Sequence, residues 1–87
     1  MAMENTEIGI KIVGGIANIA VAVDKKFDHK ELASILNAFG HKTAEGEDYA
    51  LPGKLVQKSL DHYSSIGDTQ TADDIKTAFQ GIDLTLI

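Results

Sequence analysis

The stretch Ile8–Val23 (IGIKIVGGIANIAVAV) constrains the fold more than any other part of the chain. Eight of its sixteen residues are Ile or Val, three are Gly (Gly9, Gly14, Gly15), and only Lys11 and Asn18 are polar. Such a segment must bury at least one side, and two geometries do so. As a β-hairpin, Gly14-Gly15 makes a two-residue turn. Ile12 then faces Ala17, Ile10 faces Ile19 and Ile8 faces Val21 on one apolar side, with Lys11 opposite Asn18 on the other. As a helix, Ile8, Ile12, Ile16, Ile19 and Val23 share one stripe at helical spacing, with Glu7 and Lys11 as an i,i+4 pair on the other side. Each glycine costs a helix roughly 1 kcal/mol relative to Ala. β-Branched residues suit a pleated surface. The hairpin, over about residues 6–23, is therefore the expected form.

The following segments read as helices with recognisable ends. Asp28-His-Lys-Glu31 has capping-box spacing. Leu32, Ile35, Leu36 and Phe39 form an apolar stripe behind it, and Gly40 sits where a helix ends in the left-handed conformation. His41–Ala50 is a polar connection carrying Glu45, Glu47 and Asp48. Pro52 presets a second helical start, with Leu55, Val56, Leu60, Tyr63 and Ile66 as its buried side and Gly67 as its stop. Asp68 caps a third, with Asp73 and Asp74 in the first turn, where the helix dipole favours negative charge. Ala72, Ile75, Ala78 and Phe79 are its apolar side. The tail Ile82–Ile87 alternates like a strand, and a hairpin would give it a sheet to join. The expected architecture is α+β: an N-terminal hairpin (about 6–23), helices at about 28–39, 52–66 and 69–80, and a C-terminal strand at 82–87. An all-α arrangement of four helices, with residues 6–24 helical, is the alternative. With 87 residues the chain forms one small domain, and residues 1–5 read as a loose end.

Composition narrows the functions. The chain has no cysteine, which removes disulfides, thiolate zinc sites and thiol nucleophiles together. All eight basic residues are Lys, against thirteen Asp and Glu, for a net charge of −5. That balance repels phosphate, and without Arg there is no bidentate guanidinium to read it. The longest apolar stretch is shorter than the ~20 residues of a membrane span and is interrupted by Lys11 and Asn18. Met1-Ala-Met-Glu4 has no basic leader character. A cytoplasmic protein is expected, bound neither to nucleic acid nor to membrane.

Chemical motifs are sparse. Read as an EF-hand ending at Glu31, the loop would place Ala20, Ala22 and Lys25 where calcium binding needs oxygens and a glycine. His29, His41 and His62 match no metal spacing, although His41 with Glu45, Glu47 and Asp48 could form a weak cation site. No catalytic or phosphate-binding signature is present, so no enzyme activity, cofactor or metal is expected. The expectation is a non-enzymatic, acidic interaction or regulatory protein that binds a protein partner and self-associates. Its candidate contacts are Tyr49, Glu45, Glu47, Asp48, Tyr63, Asp73 and Asp74, since aromatic residues with acidic neighbours often anchor interfaces. Two alternatives stand beside it. One is a helix-turn-helix nucleic-acid regulator using the last two helices. The other is an acidic inhibitor covering a partner's nucleic-acid site.

Overall fold

A computed structural model describes residues 5–43 and 46–82, with Asn5 and Thr6 described by backbone alone. Four helices follow in order: α1 (Asn5–Ala22), α2 (His29–Ala38), α3 (Gly53–Ser65) and α4 (Thr69–Ala78). No strand is present among the described residues. The all-α alternative therefore replaces the expected α+β fold. The hairpin expected over 6–23 is a single continuous helix, and the strand expected at 82–87 lies outside the described residues except for Ile82, which is buried in the helical core.

The physical reason is tertiary. Intrinsic propensity penalises each helical glycine by about 1 kcal/mol, but two of the three glycines in α1 are contact points. A Cβ on Gly9 would stand 2.6 Å from His41 Nε2 and 2.9 Å from Leu55 Cδ1. A Cβ on Gly14 would stand 2.5 Å from the Tyr63 hydroxyl. Glycine lets these side chains lie directly on the helix backbone, so packing repays what propensity loses. Gly15 has nothing within 4 Å.

The core side of α1 is made of Ile10, Val13, Ala17 and Ala20, all buried. The small residues on this side let α3 and α4 approach closely. Leu32 and Leu36 from α2, Leu55 and Val56 from α3, and Ile75, Ala78 and Phe79 from α4 complete one cluster. Ser59, fully buried between these residues, satisfies its hydroxyl by donating to the Leu55 carbonyl at 2.7 Å. Two residues expected in the core are outside it: Phe39 and Ile66, one residue past the ends of α2 and α3, are exposed.

The helix ends follow local chemistry. Asp24 takes the left-handed conformation (φ 54°) after α1, and the amides of Asp24 and Lys25 return to the carbonyls of Val21 and Ala20. The capping box of α2 is complete: Asp28 accepts from the Glu31 amide at 2.9 Å, and Glu31 accepts from the Asp28 amide at 3.4 Å. Gly40 and Gly67 occupy the left-handed positions beyond α2 and α3. Asp68 caps α4 by accepting from the Thr71 amide and hydroxyl. The Phe27 amide donates to the Ala78 carbonyl at 2.9 Å and ties the α1–α2 connection to the end of α4.

Candidate interaction surface

The seven residues expected to make contacts do not form one surface. Glu45 lies outside the described residues. Glu47 and Asp48 are exposed on the α2–α3 connection, and Asp48 pairs with Lys42 at 2.7 Å. Tyr49 is half-buried. Its amide donates to Asn37 Oδ1 and its carbonyl accepts from Asn37 Nδ2, while its ring stacks on His41 with centroids 5.5 Å apart. Tyr63 turns inward onto Gly14. Its phenol pKa is raised, chiefly by burial and then by the charge of Asp68. Asp73 faces solvent on α4, but its neighbour Asp74 faces α1 and is buried.

The first turn of α4 carries no acidic residue: Asp73 and Asp74 lie beyond it, so the dipole role expected of them there does not hold, and Asp74 has a different one. Its two oxygens accept from Asn18 Nδ2 at 2.7 Å and Gln70 Nε2 at 2.8 Å. The Asn18 amide thus joins α1 to α4, while the Gln70 amide satisfies the second oxygen from within α4. The acids of the C-terminal half are accordingly split between an inward link and separate outward positions.

His41 is a wedge. It is buried, its ring lies between Tyr49 and the backbone of α1 at Gly9, and its Nε2 has no hydrogen-bond partner among the described residues. Burial lowers its pKa below the ordinary 6.5, because the charged ring loses hydration. The neutral form is the one the fold holds. A group with a depressed pKa in the folded state takes up its proton first in the unfolded chain. Stability from His41 is thus complete above pH 6.5 and falls as the pH drops from there through the folded-state value. Urea unfolding at pH 7.5 and pH 5 is expected to show a larger loss for the wild type than for His41→Gln. Equal losses would show that the buried ring does not set this dependence.

The surface not foreseen is the outward side of α1. Ile8, Ile19 and Val23 are exposed there, at 38%, 67% and 64% of full accessibility. Gly15 lies open between them, and the partly buried Ile12 and Ile16 flank it. At 100° per residue, Ile8, Ile12, Ile16, Ile19 and Val23 fall within about 80° of the helix circumference, with Gly15 at its edge. This is the stripe that the helical reading of the sequence picks out by spacing alone. Phe39, Leu51 and Ile66 are also exposed, but isolated apolar residues on a surface are ordinary, whereas a continuous stripe marks a contact.

Among the described residues, two grooves lie elsewhere on the surface. One, of about 490 Å³, is bordered by Lys25, Phe27, Lys30, Glu31, Ser34 and Ile35. The other, of about 200 Å³, runs between α3 and α4 along Val56, Leu60, Ile75 and Phe79. Among the described residues no three His, Asp or Glu side chains converge as a metal site needs, and no helix is long and apolar enough to cross a membrane. Comparison with protein-family models, with curated proteins and with solved structures finds no match for this chain.

Proposed function

We propose that this chain is a non-enzymatic, cytoplasmic interaction protein that acts by binding protein through the outward side of α1. The observation that carries the reading is that Ile8, Ile19 and Val23 are exposed on one side of α1, with the partly buried Ile12 and Ile16 and open Gly15 between them. A marginally stable small domain gains from covering such a stripe, since each buried aliphatic side chain contributes roughly 1.5–3 kcal/mol. The dispersed acids give less support to an inhibitor that mimics nucleic acid. A groove-reading role draws little support either, because Asp73 is exposed on the helix that would enter the groove.

The test is capture from source-cell lysate on immobilised wild type, Ile19→Lys and the double variant Glu47→Lys/Asp48→Lys. A specifically retained protein is expected with the wild type and the double variant, and on the order of tenfold less with Ile19→Lys. Equal retention by wild type and Ile19→Lys would move the contact away from α1. Loss with the double variant alone would place it on the acidic connection.

A further inference from the structure

We infer that His41 is an acid-operated wedge: protonation drives its ring out from between Tyr49 and Gly9 and opens a cleft near the starts of α1 and α3, while the four-helix core stays closed. The ring sits in a closely fitted place. Only 5% of the residue is accessible. One side of the ring stacks on Tyr49, with the two planes 16° apart. Its Nε2 lies against the backbone of α1, where a Cβ on Gly9 would stand 2.6 Å away. Leu55 of α3 closes on the same spot, 2.9 Å from that Cβ position.

This place suits a neutral ring and opposes a charged one. Protonation makes both ring nitrogens donors. Gly9 has no side chain and that of Leu55 is apolar, and Nε2 has no acceptor among the described residues. The charged groups nearest in the chain to these contacts are Glu7 and Lys11 on α1, Lys54 on α3, and Lys42 and Asp48 on the connection. All five are exposed, and Lys42 and Asp48 pair with each other. The titratable Tyr49 meets His41 as a stacked ring. Burial is accordingly the cause that holds the His41 pKa below 6.5. Rotation into water restores the hydration of the charged ring and removes the unpaired donor.

The ring can leave while its surroundings hold. The His41 amide donates to the Leu36 carbonyl, and Tyr49 is held to α2 by its two bonds with Asn37. The turn between them closes on itself. The Thr43 amide donates to the Glu47 carbonyl, the Gly46 amide to the Thr43 carbonyl and the Glu47 amide to Thr43 Oγ1. None of these bonds uses the His41 ring, and His41 stands outside the apolar cluster that joins the helices. The closed form is therefore complete above pH 6.5, and opening sets in as the pH falls below it, because the released ring binds its proton more tightly than the buried one.

Nuclear magnetic resonance of the wild type through an acid titration tests this directly. At neutral pH, cross-relaxation between the His41 ring and the Gly9 α-protons is expected. One pH unit below the midpoint at which the His41 ring titrates, it is expected to fall to about a tenth. The Tyr49 ring and Leu55 methyl resonances are expected to move with the same midpoint, and helical circular dichroism to keep its full amplitude. His41→Gln, which takes up no proton there, is expected to leave the Tyr49 and Leu55 resonances unmoved. Undiminished cross-relaxation with a fully protonated ring overturns the inference. So does loss of the contact only together with the helical signal, since acid then unfolds the whole chain. Movement of Tyr49 and Leu55 in His41→Gln at the wild-type midpoint also overturns it, by assigning the opening to another group. The wild-type readings decide by themselves if that variant does not fold.

Discussion

Replacing Gly9 and Gly14 together with Ala is expected to destabilise the protein by about 2 kcal/mol, whereas Gly15→Ala is expected to stabilise it by about 1 kcal/mol. The three substitutions are chemically identical and lie in one helix, so propensity predicts the same small gain for each. Their surroundings separate them. At Gly9 the new methyl meets His41 Nε2 at 2.6 Å and Leu55 Cδ1 at 2.9 Å. At Gly14 it meets three atoms of the Tyr63 ring and hydroxyl between 2.5 and 2.7 Å. Overpacking of this kind costs roughly 1–3 kcal/mol per site and outweighs the propensity gain. At Gly15 there is space, so only the propensity gain remains. Urea unfolding followed by circular dichroism measures all three. The double-mutant cycle of Gly14→Ala with Tyr63→Leu isolates the contact: removing the ring should relieve most of the Gly14→Ala penalty, with a coupling of about 1–2 kcal/mol. Equal effects at positions 14 and 15 would mean that Tyr63 yields without loss and that the glycine is not a packing requirement.

The same contrast explains what was legible in the sequence. The helices that carry their own signals were readable: the box of Asp28 and Glu31, the left-handed stops at Gly40 and Gly67, and the Asp68 cap all act between residues at most a few positions apart. α1 carries no such local signal. Its glycines are permitted by Tyr63, Leu55 and His41, which lie far along the chain, and no local rule sees them. Gly14-Gly15 therefore imitates a hairpin turn. Phe39 and Ile66 were misplaced for a simpler reason. They continue the apolar spacing past the point where the helices end, and the chain turns away before either side chain reaches the core.

The candidate surface was only half visible. The stripe of Ile8, Ile12, Ile16, Ile19 and Val23 is plain in the helical reading, but spacing cannot say which of the helix's apolar sides faces inward. Contacts far along the chain decide it. The inward side combines Ile10 and Val13 with Gly9, Gly14, Ala17 and Ala20, over which neighbouring helices pack closely, and Ile8, Ile19 and Val23 are left outside. The sequence shows His41 as a polar loop residue that could join Glu45, Glu47 and Asp48 in a weak cation site. Its burial against Gly9 depends on how the α2–α3 connection folds back, which its own sequence neighbours do not specify.

Asp74→Ala is expected to destabilise the fold by about 2 kcal/mol, while Asp73→Ala changes stability by less than about 0.5 kcal/mol. The sequence presents the two carboxylates as equivalent members of one helical turn. The structure separates them by the rotation of a single residue: Asp73 faces water, and Asp74 is only 7% accessible. A carboxylate so placed has given up much of its hydration, and it is tolerated because Asn18 and Gln70 each donate to one of its oxygens. Hydrogen bonds to a charged acceptor contribute roughly 1.5–3 kcal/mol each. Part of that offsets the desolvation of Asp74, which the alanine variant no longer suffers, so the net loss is about one such bond. The link to Asn18 is the one that matters for the fold, since it ties the middle of α1 to α4, whereas Gln70 lies on the same helix as Asp74. Asn18→Ala is therefore expected to lose more than Gln70→Ala. The Asn18→Ala/Asp74→Ala cycle should show a coupling of about 1–2 kcal/mol. Urea midpoints for the five variants decide the matter. An Asp74→Ala protein as stable as Asp73→Ala would show that α1 and α4 are held by apolar packing alone and that the buried carboxylate adds nothing to their docking.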